Sequence, residues 1–195
     1  MDHFGDIAFT PSVLHHQRRR DSRDTYQQMA DASPPPTGLG PDEATFLSER
    51  DSFYLATVGE GGWPYVQHRG GPIGFIHVAD PTHLAWVERL GNRQFVTAGN
   101  LDHDDRVSLI AVDYPNRRRL KLLGHAAWNP DPDPEVRDAL GVTGRLEGVV
   151  TVEVAAFDWN CPKFITPRYT AEQVRDLTSE LTARIADLEA RIAHT

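Results

Sequence analysis

The stretch PYVQHRGGPIGFIHVADPTHLAWVERLGNRQFVTAGN, residues 64–100, decides the fold and carries the candidate site. A strand-like run reaches Gln67-His68-Arg69 and meets the break Gly70-Gly71-Pro72. A second short strand leads to Gly91-Asn92-Arg93-Gln94. Glycine lets a backbone approach a ligand closely, and arginine presents a planar fork of donors that suits anions. The stretch therefore predicts an anion-binding site, and two surface turns of an ordinary β-domain are the alternative.

The bulk composition is that of a folded globular protein. The chain has 195 residues, of which 39% are hydrophobic and 25% charged. That is enough for one domain with a sizeable core, or for one domain plus an appendage. The formal net charge of −8 at pH 7 disfavours a nucleic-acid partner, which would need a basic stripe. The two arginine triplets, residues 18–20 and 117–119, are expected on solvated faces.

The cysteine and histidine patterns exclude several kinds of site. A single cysteine, Cys161, cannot form an intramolecular disulfide framework or a multi-cysteine metal site. The histidines are scattered without an HExxH motif, so no metal site is predicted. No apolar run approaches the roughly 20 residues that span a bilayer, and residues 1–13 lack the features of a signal peptide. We therefore expect a cytoplasmic protein that does not enter a membrane.

Several stretches have the β-branched, aromatic and alternating content of strands. They cover residues 52–58, 64–67, 73–78, 83–87, 106–112, 119–127 and 148–157. Turn signals separate them, residues 101–105 among them, and no helix of about 10–15 residues alternates with them, which disfavours a parallel sheet. A mostly antiparallel barrel or sandwich is predicted, with Gly124 marking a bulge.

Helical patterns precede the predicted strands. Residues 10–30 are predicted to form a helix that Thr10 caps. The prolines and glycines of residues 31–41 are typical of a linker, because they cannot continue a helix. Residues 42–49 are predicted to form a short helix that Asp42 caps and that turns Phe46 and Leu47 inward.

The clearest helical pattern covers residues 170–193. Thr170 and Gln173 fit a capping box. Apolar residues recur at spacings of 3, 4, 4, 3 and 4, which is heptad spacing, at Val174, Leu177, Leu181, Ile185, Leu188 and Ile192. We expect this stripe to be covered either by its symmetry mate in a dimer, which we favour, or by the barrel of the same chain.

Four stretches give the chain a family resemblance. They are HQRRRDSRDTY (residues 16–26), FLSERDSFYLATVGEGGWPYVQHRGGPIGF (46–75), LGNRQFVTAGNLDHDDRVSLI followed by RRLKLLGHA (within 90–126) and FDWNCPKFITPRY (157–169). In their order and spacing they resemble the pyridoxamine 5′-phosphate oxidase-like flavin proteins, the FMN-binding split β-barrels. More narrowly, they resemble a bacterial subgroup of these proteins that has an extra N-terminal helix.

The resemblance implies a split β-barrel of about six antiparallel strands and a homodimer, with FMN in the clefts between subunits. It places residues 67–71 beside the flavin ring and ribityl chain, residues 86–87 and 92–94 at the ribityl and phosphate groups, and residues 159–161 over the ring edge. Arg119 would reach the cofactor from the neighbouring chain or from the same cleft. The implied cofactor residues are Gln67, His68, Arg69, Gly70, Gly71, Trp86, Val87, Asn92, Arg93, Gln94, Arg119, Trp159, Asn160 and Cys161.

The chain differs from pyridoxamine phosphate oxidases proper at several positions. Those enzymes carry an arginine in place of Gln67, a lysine in place of Pro72 and a glutamine near Arg119. They have a serine-arginine-lysine run near residues 91–93, and they end in a segment unlike residues 157–169. The resemblance therefore implies the barrel and FMN without implying vitamin B6 oxidation.

The leading function on this basis is an FMN-dependent oxidoreductase. It would pass hydride from a reduced donor, such as NAD(P)H, to a small-molecule substrate or to oxygen. No Rossmann fingerprint is present, so NAD(P)H would bind transiently at the flavin. The alternatives are a flavin- or haem-binding protein without turnover, and a deazaflavin-dependent reductase of the same barrel. The expected division is residues 1–41 (N-terminal helix and linker), 42–169 (FMN-binding barrel) and 170–195 (C-terminal helix).

Overall fold

Seven strands form one sheet in the computed structural model, which describes residues 1–32, 34–159 and 162–193. They are β1 Ser52–Val58, β2 Pro64–Gly70, β3 His77–Asp80, β4 His83–Glu88, β5 Arg106–Asp113, β6 Arg118–Asn129 and β7 Gly148–Trp159. The order across the sheet is β2-β1-β5-β6-β7-β4-β3, and β1 pairs antiparallel with both β2 and β5. β7 pairs antiparallel with β4 and β6. The prediction of a mainly β, antiparallel split barrel is confirmed, with seven strands rather than about six.

Alternating side chains on these strands build the core. In β1, Phe53 and Leu55 are buried while Tyr54 between them is exposed. The same alternation runs along β5, where Leu109 is buried. The Phe53 ring packs edge-on against Trp86, with the ring centres 5.0 Å apart. The period of two therefore decides which side chains of each strand face the core and which remain for a site.

Seven helices surround or follow the sheet in the described residues. They are α1 Phe4–Ala8, α2 Pro11–Arg19, α3 Arg23–Asp31, α4 Pro41–Ser48, α5 Val96–His103, α6 Pro134–Ala139 and α7 Ala171–Ala193. In the described part of the chain, none of them is both long enough and apolar enough to span a bilayer.

The single helix predicted for residues 10–30 is wrong in its continuity. Asp21 has a φ of 55°, in the left-handed region, and this separates α2 from α3. The N-cap of α4 also lies two residues earlier than predicted. Gly40 rather than Asp42 is the N-cap of α4, and its N–H donates to Glu43 Oε2 at 2.8 Å. The inward placement of Phe46 and Leu47 is confirmed, since both are buried.

Two further elements differ from prediction within residues 64–105. The strand predicted for residues 73–78 does not begin until His77, because Gly74 has a φ of 88° and Phe75 N–H donates to the carbonyl of Pro72 in a turn. Helix α5 takes up residues 101–103 of the turn that was predicted for residues 101–105. The bulge predicted at Gly124 is confirmed by a shift of register between Leu123 and Gly124.

The chain divides into two compact units. The first comprises Met1–Val112 and Arg119–Cys161 and contains the core. The second comprises Asp113–Arg118 and Pro162–Thr195. In the second unit, the Arg168 guanidinium lies 4.9 Å from the centre of the Tyr114 ring. The predicted capping box of α7 is confirmed there, with Thr170 N–H donating to Gln173 Oε1 at 2.9 Å and Gln173 N–H donating to Thr170 Oγ1 at 3.1 Å.

The turn between β3 and β4 holds an acidic side chain with a strongly lowered pKa. The Asp80 carboxylate accepts a hydrogen bond from the Thr82 N–H at 2.7 Å, and His83 Nδ1 lies 2.9 Å from it. The Thr82 N–H, together with the side chains of His83 and Thr82, lowers the pKa of Asp80 from 3.8 to about 2.

The lowered pKa gives this turn a defined pH dependence. A carboxylate whose folded pKa lies below its unfolded value stabilises the fold fully above about pH 4 and loses that contribution as the pH falls towards about 2. We expect an NMR titration of the Asp80 carboxyl carbon to have a midpoint near pH 2. In Thr82→Val/His83→Gln the midpoint should rise part of the way, because the backbone N–H remains. A wild-type midpoint near pH 3.8 would contradict this.

Candidate functional site

A cavity of about 190 Å³ lies beside β2, the end of β4 and the start of α5. Five of the residues for which the family resemblance implies a cofactor role line it, namely Gln67, Arg69, Asn92, Arg93 and Gln94. They come from two separate segments, β2 and the loop after β4. The fold thus brings both halves of the opening sequence motif to one place.

A network of side chains forms one wall of this cavity. Arg69 Nε lies 2.9 Å from Glu88 Oε1, an ion pair between β2 and β4, which are not neighbours in the sheet. Arg69 Nη2 donates to Thr97 Oγ1 at 2.9 Å, and Thr97 Oγ1 donates to Gln67 Oε1 at 3.1 Å. Trp86 Nε1 donates to the same Glu88 oxygen at 2.7 Å. The wall is therefore a pre-oriented set of donors and acceptors rather than a loose cluster.

The first turn of α5 faces the cavity. Val96, Thr97 and Ala98 all line it. The N-cap residue, Phe95, makes no side-chain capping hydrogen bond and has a left-handed φ of 52°. The first N–H groups of a helix have no partner within the helix, and the aligned peptide dipoles favour negative charge beside them. This end of the cavity is suited to a phosphate.

The loop after β4 presents an accessible arginine beside that helix start. The Arg93 side chain is 70% exposed, and its Nε lies 3.4 Å from Glu147 Oε1. Arg93 and Phe95 have φ values of 56° and 52°, which cost a non-glycine residue of the order of 1–3 kcal/mol each. Asn92 Oδ1 accepts a hydrogen bond from Gln94 N–H at 3.1 Å and holds the loop in this shape. An incoming anion would compete with Glu147 for Arg93.

The local charge balance differs from that of the whole chain. Three arginines, Arg69, Arg89 and Arg93, line the cavity together with two glutamates, Glu88 and Glu147. The chain as a whole carries a formal charge of −8. The cavity lining thus has one more cationic than anionic side chain, at a place where the helix dipole also favours an anion.

Several predicted cofactor residues of β2 and β4 do not line the cavity. The His68 ring packs edge-on against Tyr54, with ring centres 5.5 Å apart, because alternate residues of β2 face opposite sides. The Trp86 ring is only 1% exposed and belongs to the core. Three other predicted cofactor residues, Gly70, Gly71 and Val87, also lie outside the cavity lining.

The more distant predicted residues lie away from this cavity in the single chain. Arg119 is in β6, and its buried Nε has no hydrogen-bond partner. Trp159 Nε1 donates to Glu43 Oε1 at 2.6 Å, and its ring packs edge-on against Phe46 at 4.8 Å. The predicted roles of Asn160 and Cys161 fall outside the described residues.

Sequence reasoning missed several polar residues of the cavity, among them Thr97, Glu147 and Glu88. Thr97 sits in the unpredicted helix α5, and Glu147 precedes β7 by one residue. Glu88 is the last residue of β4 and directly follows Val87. Strand alternation from the buried Trp86 would have placed Glu88 on the same side as Trp86, which its hydrogen bond confirms.

A buried hydrogen bond fixes α5, and hence the end of the cavity that its first turn lines, to β1. Asn100 Nδ2 donates to Thr57 Oγ1 at 2.8 Å, and the two residues are 9% and 3% exposed. A buried donor that loses its acceptor costs more than the bond itself contributed.

Thr57→Val should therefore lower the free energy of unfolding by about 1–3 kcal/mol, measured by urea denaturation. Valine keeps the β-branched shape but leaves Asn100 Nδ2 without this acceptor. The matched control is Thr57→Val/Asn100→Leu, which removes both partners and should recover part of the loss. An equal loss in the single and double variants would show that the hydrogen bond does not matter for stability.

The antiparallel sheet, with a cavity beside β2 and the end of β4, defines the class of protein, a split β-barrel. Comparison with known proteins identifies the family within this class. The sequence profile of pyridoxamine 5′-phosphate oxidase matches residues 39–147, more than half of the chain. The chain belongs to this family, which confirms the resemblance seen in the sequence. No curated protein sequence matches the chain significantly.

Solved structures share the fold. A variant of HupZ from Group A Streptococcus is 16% identical with a TM-score of 0.51, and the match covers 63% of this chain and 99% of that one. A protein from Lactobacillus delbrueckii, provisionally named a pyridoxamine 5′-phosphate oxidase, is 24% identical with a TM-score of 0.50. That match covers 63% of this chain and 95% of the other. At these identities the likeness concerns the fold alone.

Within residues 1–32, 34–159 and 162–193, no group of three or more His, Cys, Asp or Glu side chains could hold a metal ion.

Proposed function

We propose that this chain is an FMN-dependent oxidoreductase that transfers hydride between a reduced donor and a small-molecule substrate or oxygen. The observation that carries the proposal is the convergence of predicted cofactor residues from β2 and the loop after β4 on the start of α5. FMN combines a phosphate, which needs such cationic and N–H donors, with hydroxyl groups that need amide and hydroxyl partners. Membership of the family favours a flavin of this kind.

The residues present fit one end of FMN. Arg93 and the N–H groups at the start of α5 would hold the phosphate, and Gln67, Thr97 and Asn92 would orient neighbouring hydroxyl groups. When bound, FMN supplies the hydride chemistry, and the protein binds, orients and shields it. In this proposal residues 42–169 carry the cofactor, and residues 1–41 and 170–195 lie outside the cofactor-binding part.

The size of the cavity supports a site shared by two chains. Its volume of about 190 Å³ is below the roughly 300–1,000 Å³ of most small-molecule sites. One chain would therefore enclose only part of FMN, and a second copy in a homodimer would supply the rest. Arg119, whose buried Nε lacks a hydrogen bond, is the residue that we assign to the second wall.

The purified protein tests this proposal directly. We expect a yellow protein, or a colourless one that acquires the absorbance of bound flavin when FMN is added. Addition of NAD(P)H without oxygen should bleach that absorbance, and air should restore it. A protein that ignores FMN would refute flavin dependence. Flavin that binds but is never reduced by any donor would favour a carrier over an enzyme.

A further inference from the structure

The last helix, α7, carries a row of apolar side chains that are exposed to solvent. No described residue of α7 is buried. The six apolar side chains predicted to form its stripe are 46–75% exposed, and they are Val174, Leu177, Leu181, Ile185, Leu188 and Ile192. A continuous row of large apolar side chains marks an interaction surface more often than a free one. We call this row the α7 stripe.

The spacing of the α7 stripe repeats every eleven residues. Val174 and Ile185 are one repeat apart, as are Leu177 and Leu188, and Leu181 and Ile192. This corrects the heptad spacing inferred from the sequence. An eleven-residue repeat has about 3.67 residues per turn, close to the 3.6 of a straight helix, whereas a heptad has 3.5. The stripe therefore stays on one face along all of α7 and suits a nearly straight partner helix.

Charges beside the stripe are arranged so that the helix complements itself. At about 100° per residue, Arg184 lies on one border of the stripe and Glu189 on the other, and Glu180 lies on the border of Arg184. Two parallel copies would set Arg184 beside Glu189 of the other copy. Two antiparallel copies would set Arg184 beside Glu180. In either arrangement the two-fold symmetry makes each pair twice, and opposite charges meet.

The overall charge of the helix disfavours two other kinds of partner. α7 contains five acidic residues and three arginines in its 23 residues. Amphipathic helices that lie on anionic membranes, and helices that bind nucleic acid, carry an excess of Lys and Arg beside the apolar face. A second copy matches both the apolar row and the mixed charges.

We infer that α7 pairs with α7 of a second copy through the α7 stripe and forms a straight two-helix contact that joins the two chains. This contact is independent of the cofactor proposed above. It requires only the stripe, its eleven-residue repeat and the bordering charges.

Analytical ultracentrifugation of the full-length chain over a dilution series tests this pairing. Leu181→Glu/Leu188→Glu places two charges in the stripe and should raise the dimer dissociation constant at least about tenfold. The matched control, Ser179→Glu/Ala183→Glu, adds the same charges on the opposite face of α7. Its dimer dissociation constant should stay within about twofold of the wild-type value. Equal dimer dissociation constants for the two double variants would overturn the inference. A wild-type chain that stays monomeric up to roughly 100 μM would overturn it as well.

A second pair of variants keeps the test valid if the stripe variant loses helix. Arg184→Glu alone should weaken the dimer several-fold with unchanged far-ultraviolet circular dichroism. Arg184→Glu/Glu180→Arg/Glu189→Arg should restore it, because either orientation regains opposite charges. If the triple variant is as weak as Arg184→Glu, the bordering charges do not meet those of a second copy. If the stripe variant instead destabilises a monomer and leaves association unchanged, the stripe packs within its own chain.

Discussion

Arg93→Ala is expected to weaken FMN binding about tenfold to a hundredfold, because a hydrogen bond to a charged group is worth about 1.5–3 kcal/mol. Arg93 lines the cavity and its side chain is 70% exposed, so it can reach an incoming anion. The substitution also leaves Glu147 without its nearby cation, and the buried Glu147 Oε1 has no hydrogen-bond partner. An uncompensated carboxylate would then oppose the phosphate. The dissociation constant follows from quenching of flavin fluorescence.

Matched ligands and variants isolate the phosphate contribution. Riboflavin lacks the phosphate, so its affinity should be nearly the same for wild type and Arg93→Ala. The FMN affinity of Arg93→Lys should lie between those of wild type and Arg93→Ala, since lysine keeps the charge but loses the planar fork. Arg19→Ala, on the exposed surface of α2, serves as a charge control and should leave FMN binding unchanged. If Arg93→Ala binds FMN as tightly as wild type, the phosphate lies elsewhere.

Gly124→Ala is expected to lower the free energy of unfolding by about 3 kcal/mol, near the upper end of the usual cost of forcing atoms into a packed interior. A Cβ at this position would lie 2.4 Å from the carbonyl oxygen of Glu153 and 2.8 Å from Val152 Cγ1. The first of these is backbone of the paired strand β7, which cannot rotate away as a side chain can. The bulge between Leu123 and Gly124 would have to rearrange.

A second glycine provides the opposite expectation in the same assay. In Gly99→Ala the new Cβ meets nothing within 4 Å, and the residue lies inside α5. Alanine in a helix interior is favoured over glycine by about 0.5–1 kcal/mol, so this variant should be slightly more stable than wild type. Urea denaturation of both variants measures the contrast. Equal stabilities for the two would show that the close approach at Gly124 is relieved without cost.

The strands were predictable where side chains alternate between core and surface. β1 was predicted with its observed bounds, since Phe53 and Leu55 alternate with less buried residues. The run at residues 73–78 is equally apolar, but the left-handed Gly74 turns most of it into a loop. Helix α5 escaped prediction because three of its four buried side chains, those of Thr97, Ala98 and Asn100, are small or polar and give no apolar period.

The site was predictable only in its backbone segments. Glycine-flanked arginines pointed to β2 and to the loop after β4, and Gln67 and Arg93 do share a cavity. The contacts that organise the cavity join residues far apart in sequence, such as Arg69 with Thr97 and Arg93 with Glu147. The spacing of residues along the chain does not predict such pairs, because they form only when β2 meets α5 and the loop after β4 meets the residue before β7. The cofactor roles of the predicted residues remain predictions.

The seam between β2 and β4 has a kinetic consequence. These strands are the first and sixth in the sheet, and the Arg69–Glu88 ion pair joins them across the gap. Opening the barrel along this line breaks side-chain contacts but no pairing between neighbouring strands. Opening along this line should therefore require less free energy than global unfolding. A molecule bound to both β2 and β4 would oppose this opening. Its binding should therefore slow amide hydrogen exchange along residues 64–70.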